Sequence, residues 1–138
     1  NCYGWASKFN FDWQIKKENL VKEASATIYL KNHAILQNLH SKLIKISQTN
    51  THEQDLKEFV WSTRVLIWTQ NIVLLKKRYE FKQKNIKNLI TIDEAIQEGY
   101  LITNEYEKLW RARNKESELR HTRDIFIGVC QKLESLKK

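Results

Sequence analysis

The chain has 138 residues, of which 24 are Lys or Arg and 16 are Asp or Glu, so its formal net charge is +8 at pH 7. It contains 3 Gly and no Pro, and because β-sheet folds use both residues in their many turns, this composition argues against an all-β protein. The length suits one domain with a sizeable core, so we expect residues 1–138 to form a single helical domain.

Residues 1–10 predict an irregular, aromatic-rich lead-in. Five aromatic residues fall within the first thirteen positions, namely Tyr3, Trp5, Phe9, Phe11 and Trp13. An exposed tail rarely carries so many. This cluster, the start at Asn1 and the lack of Met lead us to expect a fragment of a longer chain. The aromatics, with Trp5 and Trp13 as candidate interface residues, then either pack on a preceding domain or cap the end of this one.

A first long helix is predicted from about Phe11 to Ile46, because its apolar residues recur at helical spacing. These residues are Leu20, Ala24, Ala26, Ile28, Leu30, Ala34, Ile35, Leu39, Leu43 and Ile46. Residues 47–50 are polar and predict a short turn. A turn that short folds the next helix back antiparallel.

The second helix is predicted from Thr51 to about Gln83, and Thr51 with Gln54 matches a capping box. Two adjacent apolar lines follow at helical spacing, one of Leu56, Phe59, Val60, Ile67, Leu74 and Phe81, and the other of Trp61, Val65, Trp68, Ile72, Leu75 and Tyr79. Because so wide an apolar stripe needs neighbours on more than one side, we expect this helix at the centre of a bundle.

Two tryptophans on the second helix, Trp61 and Trp68, lie seven residues apart and therefore share a face. Such residues can stack on sugar rings or bases, but at this spacing they more often belong to a core or a domain interface. We expect Trp61 and Trp68 to take one of these two structural roles. A further alternative is a helical oligomerisation domain that pairs an exposed tryptophan line with a second copy.

A third helix is predicted from Ile92 to about Arg113, with Thr91 and Glu94 as a second capping box. Gly99 lies inside it and either lowers the helix propensity by about 1 kcal/mol or splits the helix. The last helix is predicted from Ser117 to about Leu136, with an apolar stripe of Leu119, Ile125, Phe126, Val129, Leu133 and Leu136. The sequence thus predicts an all-α fold, an up-down antiparallel bundle of three to four long helices.

The positive charge is a first indication of nucleic-acid binding, but basic and acidic residues are mixed along most of the chain. The exception is residues 76–87, with Lys76, Lys77, Arg78, Lys82, Lys84 and Lys87 against Glu80. Such a run is most often a solvated helix end, where cations complement the helix dipole. The sequence therefore disfavours nucleic acid as a partner. It also contains neither a stretch long enough to span a bilayer nor a signal-peptide pattern, so we favour a cytoplasmic location.

The residue types needed for catalysis or metal binding occur in no recognisable pattern. Asp93 and Glu94 form the only adjacent acidic pair, and the first turn of a helix favours acids for structural reasons. His33 and His40 are seven residues apart, or about 10 Å along a helix, which is too far to ligate one ion together. We expect no catalytic residues, no metal and no cofactor in this chain.

The most distinctive string is Tyr106-Glu-Lys-Leu-Trp-Arg-Ala-Arg-Asn114. It resembles the motif Leu-Trp-Leu-Ala-Arg-Asn-Arg-Pro in the C-terminal helical region of bacterial family 20 glycoside hydrolases, the β-N-acetylhexosaminidases. The matching residues are Leu109, Trp110, Ala112, Arg113 and Asn114, and the departures are Arg111, Lys115 and Glu116.

In that family the catalytic Asp-Glu pair follows a His/Asn-x-Gly-Gly motif on a TIM barrel, and nothing in this chain matches that motif. The resemblance implies a noncatalytic accessory domain that packs on the preceding catalytic barrel or forms a dimer contact. Leu109, Trp110, Arg113 and Asn114 then shape a helix terminus. The alternative is a free-standing basic helical module that binds nucleic acid or a protein partner.

Overall fold

A computed structural model of the protein describes residues 23–48, 53–80, 82–112 and 119–137. These residues form four α-helices, α1 (Glu23–Ser47), α2 (Glu53–Tyr79), α3 (Ile92–Ala112) and α4 (Leu119–Ser135). The described ranges contain no β-strand. The predicted all-α bundle is therefore confirmed.

Each helix packs against the next one in the chain, α1 on α2, α2 on α3 and α3 on α4. The indole Nε1 of Trp61 donates a hydrogen bond to the carbonyl of Ile102 at 3.0 Å, and that of Trp68 donates to Ala95 at 2.7 Å. A step of seven residues forward along α2 thus corresponds to seven residues back along α3. Because only antiparallel helices give this relation, the two hydrogen bonds fix both the direction and the register of the pair.

The core lies between α2, α3 and α4, and the second apolar line of α2 supplies its centre. Buried residues on that line are Trp61, Val65, Trp68, Ile72 and Leu75. Tyr79, the last residue predicted on the line, is 40% exposed because α2 ends there. The predicted stripe of α4 also packs inward, with Phe126, Val129 and Leu133 buried.

The first apolar line of α2 lies on the other side of the helix, toward α1. Thr63 of α2 forms a hydrogen bond with His40 of α1, and Val60 and Ile67 flank Thr63 on the helix surface. These two residues are half-buried, whereas Phe59 is 61% exposed. Leu74 is fully buried near the end of the line.

Helix boundaries follow the predicted signals at α3 and depart from them at α2. The capping box is confirmed, since Glu94 N–H donates to Thr91 Oγ1 at 3.1 Å and Thr91 N–H donates to Glu94 Oε2 at 2.7 Å. The predicted end of α2 near Gln83 was too late. The helix stops at Tyr79, and Lys82 takes a left-handed conformation with φ 58°.

Gly99 does not split α3, which is continuous from Ile92 to Ala112. A Cβ at this position would lie 2.7 Å from Cζ2 of Trp68 and closer still to Sγ of Cys130. Since no real Cβ contact is that short, the missing side chain is what allows α3 to approach α2 and α4 so closely. The predicted roles of Thr51, Ser117 and residues 1–22 lie outside the described ranges.

Candidate functional site

A groove of about 820 Å³ lies beside α2, between α1 and α3. Both polar and apolar side chains form its walls. The lining residues are Gln37, His40 and Ser41 of α1, Arg64, Ile67, Trp68 and Asn71 of α2, and Ile90, Glu94, Gln97, Glu98 and Leu101 from the start of α3 and the segment before it. We call it the central groove.

Arg64 and Glu98 form the strongest charged contact of the central groove. The guanidinium donates two hydrogen bonds to the carboxylate, from Nε to Oε1 and, at 2.9 Å, from Nη2 to Oε2. The hydrogen bonds with Glu98 raise the pKa of Arg64. Because paired planar groups allow little freedom of position, this contact fixes α2 against α3.

His40 joins α1 to α2 through its hydrogen bond with Thr63, with 2.7 Å between Nδ1 and Oγ1. The hydroxyl of Thr63 donates its one proton to the carbonyl of Val60 at 2.8 Å. Nδ1 of His40 must therefore carry the proton in this bond, which leaves Nε2 of the neutral ring as an acceptor. Nδ1 of the imidazole thus takes part in a contact between α1 and α2.

The acids of the predicted pair, Asp93 and Glu94, also have structural partners. Glu94 completes the capping box of α3, and Asp93 pairs with Lys137, which contacts Glu134 at 3.0 Å as well. Within the described ranges, no group of three His, Cys, Asp or Glu side chains could hold a metal ion. The polar groups named here connect helices or cap them, which is a structural use of their chemistry.

The predicted interface tryptophans of α2, Trp61 and Trp68, lie in the core of this chain, at 6% and 1% exposure. Phe126 packs edge-on against both, with ring centroids 6.0 Å away in each case. Of the two structural roles expected for this pair, the structure places it in the core. Trp5 and Trp13 lie outside the described residues.

The string that resembles the glycoside hydrolase motif ends α3. Leu109 is buried, and the half-buried Trp110 packs on Tyr106 with ring centroids 5.3 Å apart. Tyr106 in turn contacts Trp61 at 5.4 Å, so these rings extend the aromatic core to the end of α3. Arg113 and Asn114 lie outside the described residues.

The basic run at residues 76–87 contains both buried and exposed cations. Lys76 is 8% exposed and pairs with Glu80 at 3.6 Å, and Lys77 is fully buried. Burial lowers the pKa of Lys77. The prediction of a solvated helix end was therefore wrong for these two lysines, because they lie on the last packed turns of α2. It describes the rest of the run, since Arg78, Lys82, Lys84 and Lys87 are exposed.

Sequence reasoning missed a second surface feature, the exposed apolar side chains of α1. Leu30, Ile35, Leu39, Ile44 and Ile46 are 36–57% exposed. Ile35, Leu39 and Ile46 share one face by their spacing of four and seven, and Phe59 of α2 is exposed as well. The signal was the breadth of apolar residues around α1, which one neighbouring helix cannot cover.

In the described residues, no helix has both the length and the apolar character needed to cross a membrane. Comparisons with models of protein families, with curated proteins and with solved structures found no match.

Proposed function

We propose that this chain is a noncatalytic helical accessory domain whose task is to hold another protein surface through the outer side of α1. Following the resemblance at Leu109 and Trp110, that surface is the catalytic barrel of a β-N-acetylhexosaminidase-like glycoside hydrolase or a second copy of the domain. The observation that carries the proposal is the row of exposed apolar side chains on α1.

The exposed row supports a contact role because apolar side chains clustered on one helix gain stability when a partner removes them from water. Ile35, Leu39 and Ile46 lie on one face, and Phe59 at the start of α2 adds an exposed ring. Scattered surface apolar residues are ordinary, but four large ones on a two-helix unit form a candidate interface.

The use of the polar groups supports the noncatalytic part of the proposal. The central groove holds Arg64, Glu98 and His40 in contacts that join helices. Arg64, Glu98 and Nδ1 of His40 each stabilise the packing of α2 against a neighbouring helix.

Activity measurements test the noncatalytic part. We expect the isolated chain to release no nitrophenol from a nitrophenyl N-acetylglucosaminide above the background rate. Turnover that disappears on His40→Gln or Glu98→Gln would overturn this part. A variant of the exposed, unrelated Gln131 supplies the matched control for handling and purity.

Hydrogen exchange tests the contact surface. The chain is compared alone, over a range of concentrations, and joined to the product of its upstream coding sequence. We expect slower amide exchange in α1 in at least one of the two settings, because docking removes opening motions of the covered helix. Ile35→Asp with Leu39→Asp should abolish the slowing, whereas Lys42→Asp with Lys45→Asp should have less effect. Unchanged exchange of α1 in both settings would exclude the interface.

A further inference from the structure

We propose a second, independent site on this protein: the connection between α2 and α3 binds the backbone of single-stranded nucleic acid through Arg78, Lys82, Lys84 and Lys87. We call these four residues the basic patch. They lie at the end of α2 and in the connection to α3, away from the apolar row of α1.

The basic patch is positioned by a fixed connection. Ile86 lies in the middle of it, is 1% exposed and packs with Leu74 and Leu89. Lys82 and Asn88, one on each side of Ile86, both have φ 58°, which turns the backbone around this anchor. A buried residue flanked by exposed Lys84 and Lys87 holds the cations outward on a defined surface.

Within the described residues, no acid pairs with the cations of the basic patch. In the part of the chain that the structure describes, none of its four cations forms an ion pair. The nearest acid in sequence, Glu80, is engaged by Lys76 at 3.6 Å. Other cations of the bundle are neutralised in place, as Arg64 is by Glu98. Asp93, which lines a pocket together with Tyr79 and Lys82, pairs with Lys137. Cations therefore outnumber acids around the basic patch, and phosphates would replace their counterions.

The groups around the basic patch favour nucleic acid over other anions. Tyr79 is 40% exposed, and the guanidinium of Arg78 lies 5.6 Å from the centre of its ring. An exposed ring beside cations can stack on an unpaired base of a nucleic acid. A carboxylate polymer has no base and cannot make this contact. The exposed amides of Asn85 and Asn88 add donors for phosphate and sugar oxygens. Single strands present unpaired bases, so they fit this combination better than duplexes.

The linear sequence does not reveal the basic patch, because its basic run mixes two environments. Lys76 and Lys77 are withdrawn into the bundle, so the linear charge count overstates the run. The turn after Tyr79 then gathers the remaining cations around one anchored connection.

Fluorescence anisotropy with a labelled oligothymidine of about 20 nucleotides tests the proposal. At about 50 mM salt we expect a Kd near 10 µM, and four phosphate contacts give a slope of log K against log salt of about −3. Lys82→Gln, Lys84→Gln and Lys87→Gln together should weaken binding at least about tenfold and reduce the slope to about −1. Circular dichroism confirms that this exposed triple variant keeps its helices.

The matched control removes the same charge elsewhere. Lys42, Lys45 and Lys108 are exposed and lie toward the opposite end of the bundle, as the register of α1 and α3 with α2 requires. Their triple change to Gln should alter the affinity less than threefold. Equal losses in the two triple variants would reduce the effect to net charge and overturn the proposal. The proposal is also wrong if the wild type shows no binding up to about 1 mM protein, or if the slope of log K against log salt is near zero.

A final comparison distinguishes nucleic acid from any polyanion. Tyr79→Leu should weaken oligothymidine binding about three- to tenfold, because a base can stack on the tyrosine ring. The inhibition constant of polyglutamate should stay unchanged, because polyglutamate has no base to stack. If polyglutamate of equal charge competes as well as oligothymidine itself, or if Tyr79→Leu has no effect on oligothymidine, the assignment to nucleic acid is wrong.

Discussion

At the residue scale, Gly99 shows how one missing side chain sets the distance between three helices. Trp68 cannot give way, because its ring is 1% exposed and its Nε1 is bound to the carbonyl of Ala95 at 2.7 Å. Cys130 is fully packed on the third side, with its Sγ directed at the carbonyl of Ile96 at 3.8 Å. The residue that helix propensity disfavours is therefore the one that this packing requires.

Gly99→Ala should lower the free energy of unfolding by about 1–3 kcal/mol, although alanine is the better helix former, because the added methyl group overpacks the contact with Trp68. Gly128→Ala is the matched control. It lies in α4 with nothing within 4 Å of the added Cβ, so it should raise stability by up to about 1 kcal/mol. Urea unfolding followed by circular dichroism measures both. A stabilised Gly99→Ala protein would show that the helices are further apart than described.

At the element scale, the Arg64–Glu98 pair holds α2 to α3 on the side of the central groove. Each side chain is about one third exposed, so solvent screens the pair, but its two-pronged geometry strengthens it. A double-mutant cycle with Arg64→Ala and Glu98→Ala should give a coupling energy of about 1 kcal/mol in low salt, and less in about 1 M salt. The exposed Lys57–Glu53 pair within α2 is the comparison and should couple more weakly. A coupling energy near zero for Arg64 and Glu98 would show that this pair does not help to fix the register of α2 against α3.

The contact between α1 and α2 predicts a dependence of stability on acid pH. His33 is half-buried, its Nδ1 has no hydrogen-bond partner among the described residues, and burial lowers its pKa below 6.5. The unfolded chain therefore binds a proton more readily than the folded chain as pH falls below 6.5, and stability decreases. Above that pH the contribution of His33 is constant. Urea midpoints between about pH 7.5 and pH 5 should fall less in His33→Gln than in the wild type, with the exposed His121→Gln as the control. An unchanged profile in His33→Gln would contradict this role.

The elements show which parts of the fold a sequence can predict. The Thr91–Glu94 capping box and the apolar stripe of α4 depend on neighbouring residues, and both were predicted correctly. The end of α2 was not, because the left-handed turn at Lys82 has no glycine to mark it. The central groove was also missed, because it depends on the distance between α1 and α3, which tertiary packing sets.

At the scale of the whole molecule, the bundle has a shared core and an outer helix. The core side chains of α2, α3 and α4 contact one another, with Trp61, Tyr106 and Phe126 in mutual ring contact. By contrast, α1 packs mainly on α2 among the described helices, and its large apolar side chains such as Ile35 are exposed. We therefore expect α1 to open at a lower free energy than the other three helices.

Cys130 provides a probe of the shared core, because its thiol is 1% exposed and burial raises its pKa to about 11. The thiolate is the reactive form, so the folded protein should resist iodoacetamide at pH 8. In a Cys2→Ser background, the rate at which Cys130 is labelled should increase with urea concentration as steeply as global unfolding does. Amide exchange in α1 should accelerate at lower urea concentrations, because this helix opens first. Labelling that instead begins together with the exchange of α1 would show that the four helices open as one unit, and rapid labelling without urea would contradict the burial of Cys130 between α2, α3 and α4.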